Sequence, residues 1–203
     1  MKYQEFRNII KRPFFRKTDV DFKMANVSSV QLSRWMNLGY IDQVKRGLYV
    51  FSDKKDTIDP LDISFLLYEP SYVSMESALS FYGLIPELVP TTTAVSAKTT
   101  RTFENQYGTF SYRHVKPELF FGYIPHETPI GKYLLAEPEK AVLDYVYFNR
   151  TRLTSVNDIN ELRINIEEFR KIINIAKLKK YLKEYNSKKM EKIINLVLAH
   201  ADL

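Results

Sequence analysis

Apolar residues recur at helical spacing from the start of the chain, at Tyr3, Phe6, Ile9 and Ile10, until Pro13 ends the run. Thr18 and Asp19 offer an N-cap for a short second helix, Val20 to Met24, with Phe22 or Met24 facing inward. Ala25-Asn26-Val27 reads as the turn that follows it. Ser28 or Ser29 then caps a third helix reaching Leu38, and Gly39 suits the position just past its end because glycine reaches positive φ without strain. Leu32, Trp35 and Met36 make the inward face of that helix, while Ser28, Ser29, Gln31 and Arg34 fall on or near the opposite face. Two short apolar-rich segments, Tyr40 to Val44 and Leu48 to Phe51, flank Lys45-Arg46-Gly47 and predict a β-hairpin with a basic tip. Helix, helix, turn, helix and basic hairpin, in that order, predict a winged helix-turn-helix over residues 1–58.

Asp59-Pro60 opens a new section, which places a second domain at residues 59–203. Helices are expected over Pro60–Tyr68 and Tyr72–Gly83, the second with Ala78, Leu79 and Tyr82 inward. Thr91–Lys98 is β-prone, Thr109–Val115 alternates in the manner of a strand, and Phe120–Tyr123 and Tyr133–Ala136 are further short strands. Glu137-Pro138-Glu139-Lys140 starts a helix well, with proline in the first turn and carboxylates at the positive end of the dipole. From Asn157 onward the pattern is helical throughout, at about 158–165, 167–176, 178–185 and 188–199. The fold class is α+β: a winged helix-turn-helix, then a mixed α+β domain ending in a helical, basic C-terminal region, without repeats or βαβ alternation.

Composition sharpens this picture through the placement of charge. The net charge is +6, but residues 1–58 hold 12 Lys/Arg against 6 Asp/Glu, residues 59–169 hold 9 against 15, and residues 170–203 hold 9 against 3. A basic N-terminal module is the footprint of a phosphate-binding surface. On the third helix, Gln31 and Arg34 have the forked side chains that read adenine and guanine edges, and Ser28 and Ser29 sit where hydroxyls and free N–H groups hold phosphate. Lys45 and Arg46 on the hairpin, with Arg16, Lys17 and Lys23 before the third helix, supply cations for the flanking backbone. The basic C-terminal stretch, Lys177 to Lys192, reads as a solvated helical hairpin packed on the domain, as extra phosphate contact, or as a surface for an acidic partner. Cysteine is absent, which excludes disulfides and thiolate metal sites. No run approaches the length of a membrane span and the first residues carry no signal-peptide apolar core, so a cytoplasmic chain with no membrane partner is expected.

Enzyme motifs are missing. There is no G-x-S-x-G elbow, no P-loop and no H-E-x-x-H. The histidines, at 114, 126 and 200, have no metal-ligand spacing, and His114 lies on the alternating strand as a sheet-face residue. Glu76 and Ser77 read as cap and packing residues. Glu137, Glu139 and Asp144 offer a carboxylate cluster, which helix-start electrostatics explain without a metal. Arg101 and Arg113 read as structural pairing residues. No catalytic residue, metal or cofactor is expected.

The run Leu32 to Ile41, continuing through Lys45-Arg46-Gly47-Leu48-Tyr49-Val50, resembles the N-terminal domain of the AbiEi antitoxins of type IV toxin–antitoxin systems. Three later blocks are similar in order: Val73 to Pro86; Lys98 to Phe103 with Gly108 to His114; and Leu135-Ala136-Glu137-Pro138-Glu139-Lys140-Ala141-Val142-Leu143-Asp144. The similarity covers about residues 28–150, and the last fifty match only in being helical and basic. It implies a repressor that binds repeats in its own promoter and counters a nucleotidyltransferase-like toxin encoded beside it, without need of direct grip on the toxin. The alternatives are a winged-helix transcription factor with a sensory C-terminal domain and no toxin, and an enzyme acting on nucleic acid.

Overall fold

A computed structural model describes residues 1–18, 20, 27–86, 89–128 and 131–203. It is a mixed α+β fold built on two sheets. The first sheet has three antiparallel strands in the order β1 (Phe14–Arg16), β3 (Leu48–Phe51), β2 (Ile41–Lys45), with Phe14 opposite Val50 and Ile41 opposite Phe51. The hairpin expected around Lys45-Arg46-Gly47 is present, and Gly47 sits at φ +81, a conformation glycine adopts freely. Helices α1 (Tyr3–Ile9) and α2 (Ser29–Asn37) lie against one face of this sheet. The core between them is aromatic: Phe6 meets Phe15 at 4.9 Å, Trp35 at 5.0 Å and Phe51 at 5.9 Å between ring centroids. The short second helix expected over Val20–Met24, its Asp19 cap and the Ala25-Asn26 turn lie outside the described residues apart from Val20, which is buried in the aromatic core.

Strand β3 is buried at all four positions, which explains its unbroken apolar run Leu-Tyr-Val-Phe. Tyr49 and Phe51 join the aromatic core, while Leu48 and Val50 turn the other way. There they meet Ile63 and Leu67 of α3 (Pro60–Leu67) and Ala94, Phe110 and Tyr112 of the second sheet. A single strand therefore separates two cores, and the chain before residue 58 shares apolar packing with the chain after it.

The second sheet has six strands in the order β6-β7-β5-β4-β9-β8: β6 (Arg101–Asn105), β7 (Gly108–His114), β5 (Thr91–Ser96), β4 (Ser71–Val73), β9 (Gly131–Ala136) and β8 (Tyr123–Thr128). The β5–β7 and β4–β9 pairs are parallel and the others antiparallel. Ala94, Phe110 and Tyr112 face the hairpin and α3. Tyr72 and Val95, paired in register, join the larger cluster with Ala141 and Leu143 on the opposite side. Helices α4 (Met75–Phe81) and α5 (Pro138–Asn149) belong to that side, followed by α6 (Val156–Asn160), α7 (Ile166–Ile172), α8 (Ile175–Glu184) and α9 (Lys188–His200).

Two expectations change here. Tyr72 and Val73 belong to strand β4 and not to the helix expected over Tyr72–Gly83, because an aromatic and a β-branched residue complete the sheet between β5 and β9. The strand expected at Phe120–Tyr123 starts instead at Tyr123 and runs to Thr128. Gly122, at φ +73, brings the backbone so close to α5 that a Cβ there would lie 3.1 Å from Lys140 Cγ and from the Tyr181 ring.

Candidate nucleic-acid interface

Helix α2 starts where its sequence asks it to. Ser28 is the N-cap, its Oγ accepting the Gln31 amide at 3.2 Å, and Gly39 follows the helix at φ +70. Leu32 and Trp35 are buried, and this fixes which side faces solvent. The exposed stripe is Val30, Ser33, Arg34 and Asn37, the i, i+3, i+4, i+7 set on one helical face. Arg34 belongs to it as expected. Gln31 does not: it is half-buried, and its Nε2 donates to the Met1 carbonyl. Val30 takes its place at 79% exposure. The signal for Val30 was its position four residues before Arg34, and its apolar character hid it.

The basic residues divide into committed and free. Lys17 Nζ donates to Ser29 Oγ at 3.0 Å, tying the end of β1 to the first turn of α2. Lys17 N also donates to the Gly47 carbonyl at 2.9 Å, so the β1 end, the α2 start and the hairpin turn form one unit. Arg16 pairs with Glu69 at 2.5 Å. Lys45 is not at the tip as a free cation. Its Nζ donates to the Leu66 carbonyl at 3.2 Å and to the Leu67 carbonyl, capping the C-terminus of α3, where a cation meets the negative end of the helix dipole. Burial pushes the Lys45 amine below its ordinary value, and Arg16 adds to this. Among the described residues, Arg34 and Arg46 are exposed and have no hydrogen-bond or ion-pair partner. Lys23 lies outside the described residues.

Arg16, Lys17, Lys45 and Arg46 nevertheless line one cleft of about 370 Å³, whose lining also includes Glu69 and Lys98. Lys98 was missed by sequence reasoning. It stands at the end of β5, some fifty residues from the hairpin, and donates to the Glu69 carbonyl at 2.5 Å. Only the shared packing between hairpin and second sheet brings it here.

The block Glu137 to Asp144 makes a different arrangement. Lys140 and Asp144 are fully buried side chains 2.5 Å apart on adjacent turns of α5. Lys140 Nζ also donates to Tyr185 Oη at 2.7 Å, and Asp144 accepts from Tyr72 at 2.9 Å and Ser74 at 2.8 Å. Burial lowers the Lys140 amine against the pull of Asp144, and burial raises both tyrosines well above their ordinary values. Glu137 takes Lys177 at 2.5 Å and Tyr181 at 2.6 Å, and Glu139 takes the Asn174 amide at 2.8 Å. Each carboxylate has its own protein partner, and among the described residues no metal-ligating group of three or more side chains comes together. The block ties α5 to β4 and α8. Among the described residues no helix is long and apolar enough to cross a membrane.

Comparison with protein-family models finds no match, and none of the curated proteins compared matches the chain. The resemblance to the AbiEi antitoxins therefore rests on the residue blocks quoted above.

Proposed function

We propose that this chain binds double-stranded promoter DNA through a winged helix-turn-helix formed by its N-terminal part and represses its own operon. α2 is the recognition helix in this reading, with Val30, Ser33, Arg34 and Asn37 turned to base edges. Arg46, on the hairpin turn, holds a flanking phosphate. Following the resemblance, the repeats in the promoter are the target, and the chain serves as the antitoxin of a type IV system, countering a nucleotidyltransferase-like toxin. The observation that carries the reading is Arg34 and Arg46, two exposed and uncommitted guanidinium groups on a helix face and an adjoining hairpin turn.

Fluorescence anisotropy with the duplex upstream of the gene tests this across a salt series. Log affinity should fall linearly with log salt, and Arg34→Ala with Arg46→Ala should flatten the slope by about one per lost phosphate contact. Affinity and slope unchanged in the double variant would remove these residues from the interface. Co-expression with the product of the adjacent gene tests the antitoxin half: growth restored by this chain supports it, and an adjacent product that is harmless alone contradicts it.

A further inference from the structure

Behind the second sheet, α4, α5 and α7 help to line a partly open cleft of about 510 Å³ that shares no residue with the cleft at the hairpin. Its walls include Leu84, Val142, Val146 and Phe169, all buried core residues. An apolar space of this size falls in the range of small-molecule sites.

Its rim is charged, and unevenly so. Among the described residues, Glu76, Asp158 and Glu161 line it together with the cation Arg152. Arg152 already donates to Tyr145 Oη at 3.2 Å. Asp158 Oδ2 accepts four hydrogen bonds from the backbone and hydroxyls of Thr154 and Ser155, which fixes the carboxylate in place and holds it ionised, down to about 2. Glu76 is half-buried and has no hydrogen-bond or ion-pair partner among the described residues. It follows Met75, a buried non-glycine residue at φ +55.

We infer that this cleft is a binding site for a small organic cation, an apolar body carrying one amine or guanidine group. The apolar part fills the walls, and the cation meets Glu76 and Glu161 at the rim. The carboxylates outnumber the cation Arg152 in this lining, so they favour a cationic ligand over a neutral one and disfavour an anion.

The full chain is titrated with phenylbutylamine, phenylbutanol and phenylbutyrate, three probes sharing one apolar body, by calorimetry and thermal unfolding. The amine should bind tightest and raise Tm, and the carboxylate should bind weakest. The isosteric pair Glu76→Gln and Glu161→Gln, which preserves shape, should weaken the amine about tenfold, the worth of a charge-assisted hydrogen bond, and leave the alcohol unchanged. Val142→Phe, which narrows the apolar wall, should weaken all three. If that variant fails to fold, the glutamine pair still decides. Equal affinity for amine and carboxylate, no Tm shift with any probe, or wild-type amine affinity in the glutamine pair would each overturn the assignment.

Discussion

The N-terminal part and the region around α5 are both rich in charge, but they use it in opposite ways. Lys140, Asp144, Glu137, Glu139 and Lys177 face one another or nearby tyrosines and backbone groups, so the fold itself consumes them. Around α2, Arg34 and Arg46 project into solvent over a core already secured by aromatic rings. Charge count alone does not separate a binding surface from internal wiring, whereas the presence or absence of an intramolecular partner does. Lys45 makes the point within the N-terminal region. It is one residue from Arg46, yet its amine is spent on the α3 carbonyls.

The contrast can be broken most sharply at Asp144. Asp144→Ala leaves the Lys140 ammonium buried without a counter-charge and should cost about 3–5 kcal/mol. Arg34→Ala with Arg46→Ala should stay within about 0.5 kcal/mol of the parent. Urea unfolding measures both, and equal losses would erase the distinction. A smaller effect is expected at Lys45. Lys45→Met should lower stability by about 0.5–1 kcal/mol through the α3 C-terminus, with no change in the salt slope of DNA binding. A flattened slope would return Lys45 to the interface.

How much of this was legible in sequence follows from the range of the contacts involved. Helix α2 and the β2–β3 hairpin were readable because caps, glycine positions and apolar spacing are local. Strand β1 was not, since Phe14-Phe15-Arg16 is too short to show a period and owes its conformation to pairing with β3. The outward face of α2 was set one residue off at Gln31, whose amide is drawn aside by the Met1 carbonyl. Lys98 and the destination of Lys45 depend on the packing of the hairpin against α3 and the second sheet, which no local pattern encodes. In the Glu137–Asp144 block the helix start was legible, but the tyrosine and serine partners of Asp144, some 41 to 72 residues away, were not.

The smallest effect expected is at Asp158, half-buried and held by hydrogen bonds alone. The backbone amides of Thr154 and Ser155 bring its carboxyl from the ordinary 3.8 to about 2. Its folded value is below the unfolded one, so its contribution is present above the ordinary value and is lost as pH falls from there through about 2. An NMR titration of the carboxyl carbon should give the low midpoint, with the Thr154 and Ser155 amide shifts following it. A midpoint at the ordinary value would show the cap to be open in solution.

The division of charge between the two regions is tested most directly by hydrogen–deuterium exchange of the full chain with and without the promoter duplex. The account predicts added protection over residues 28–37 and at the hairpin turn 45–47, with the exchange of α5 unchanged. Protection confined to α8 and α9, with residues 28–47 unaffected, would contradict it.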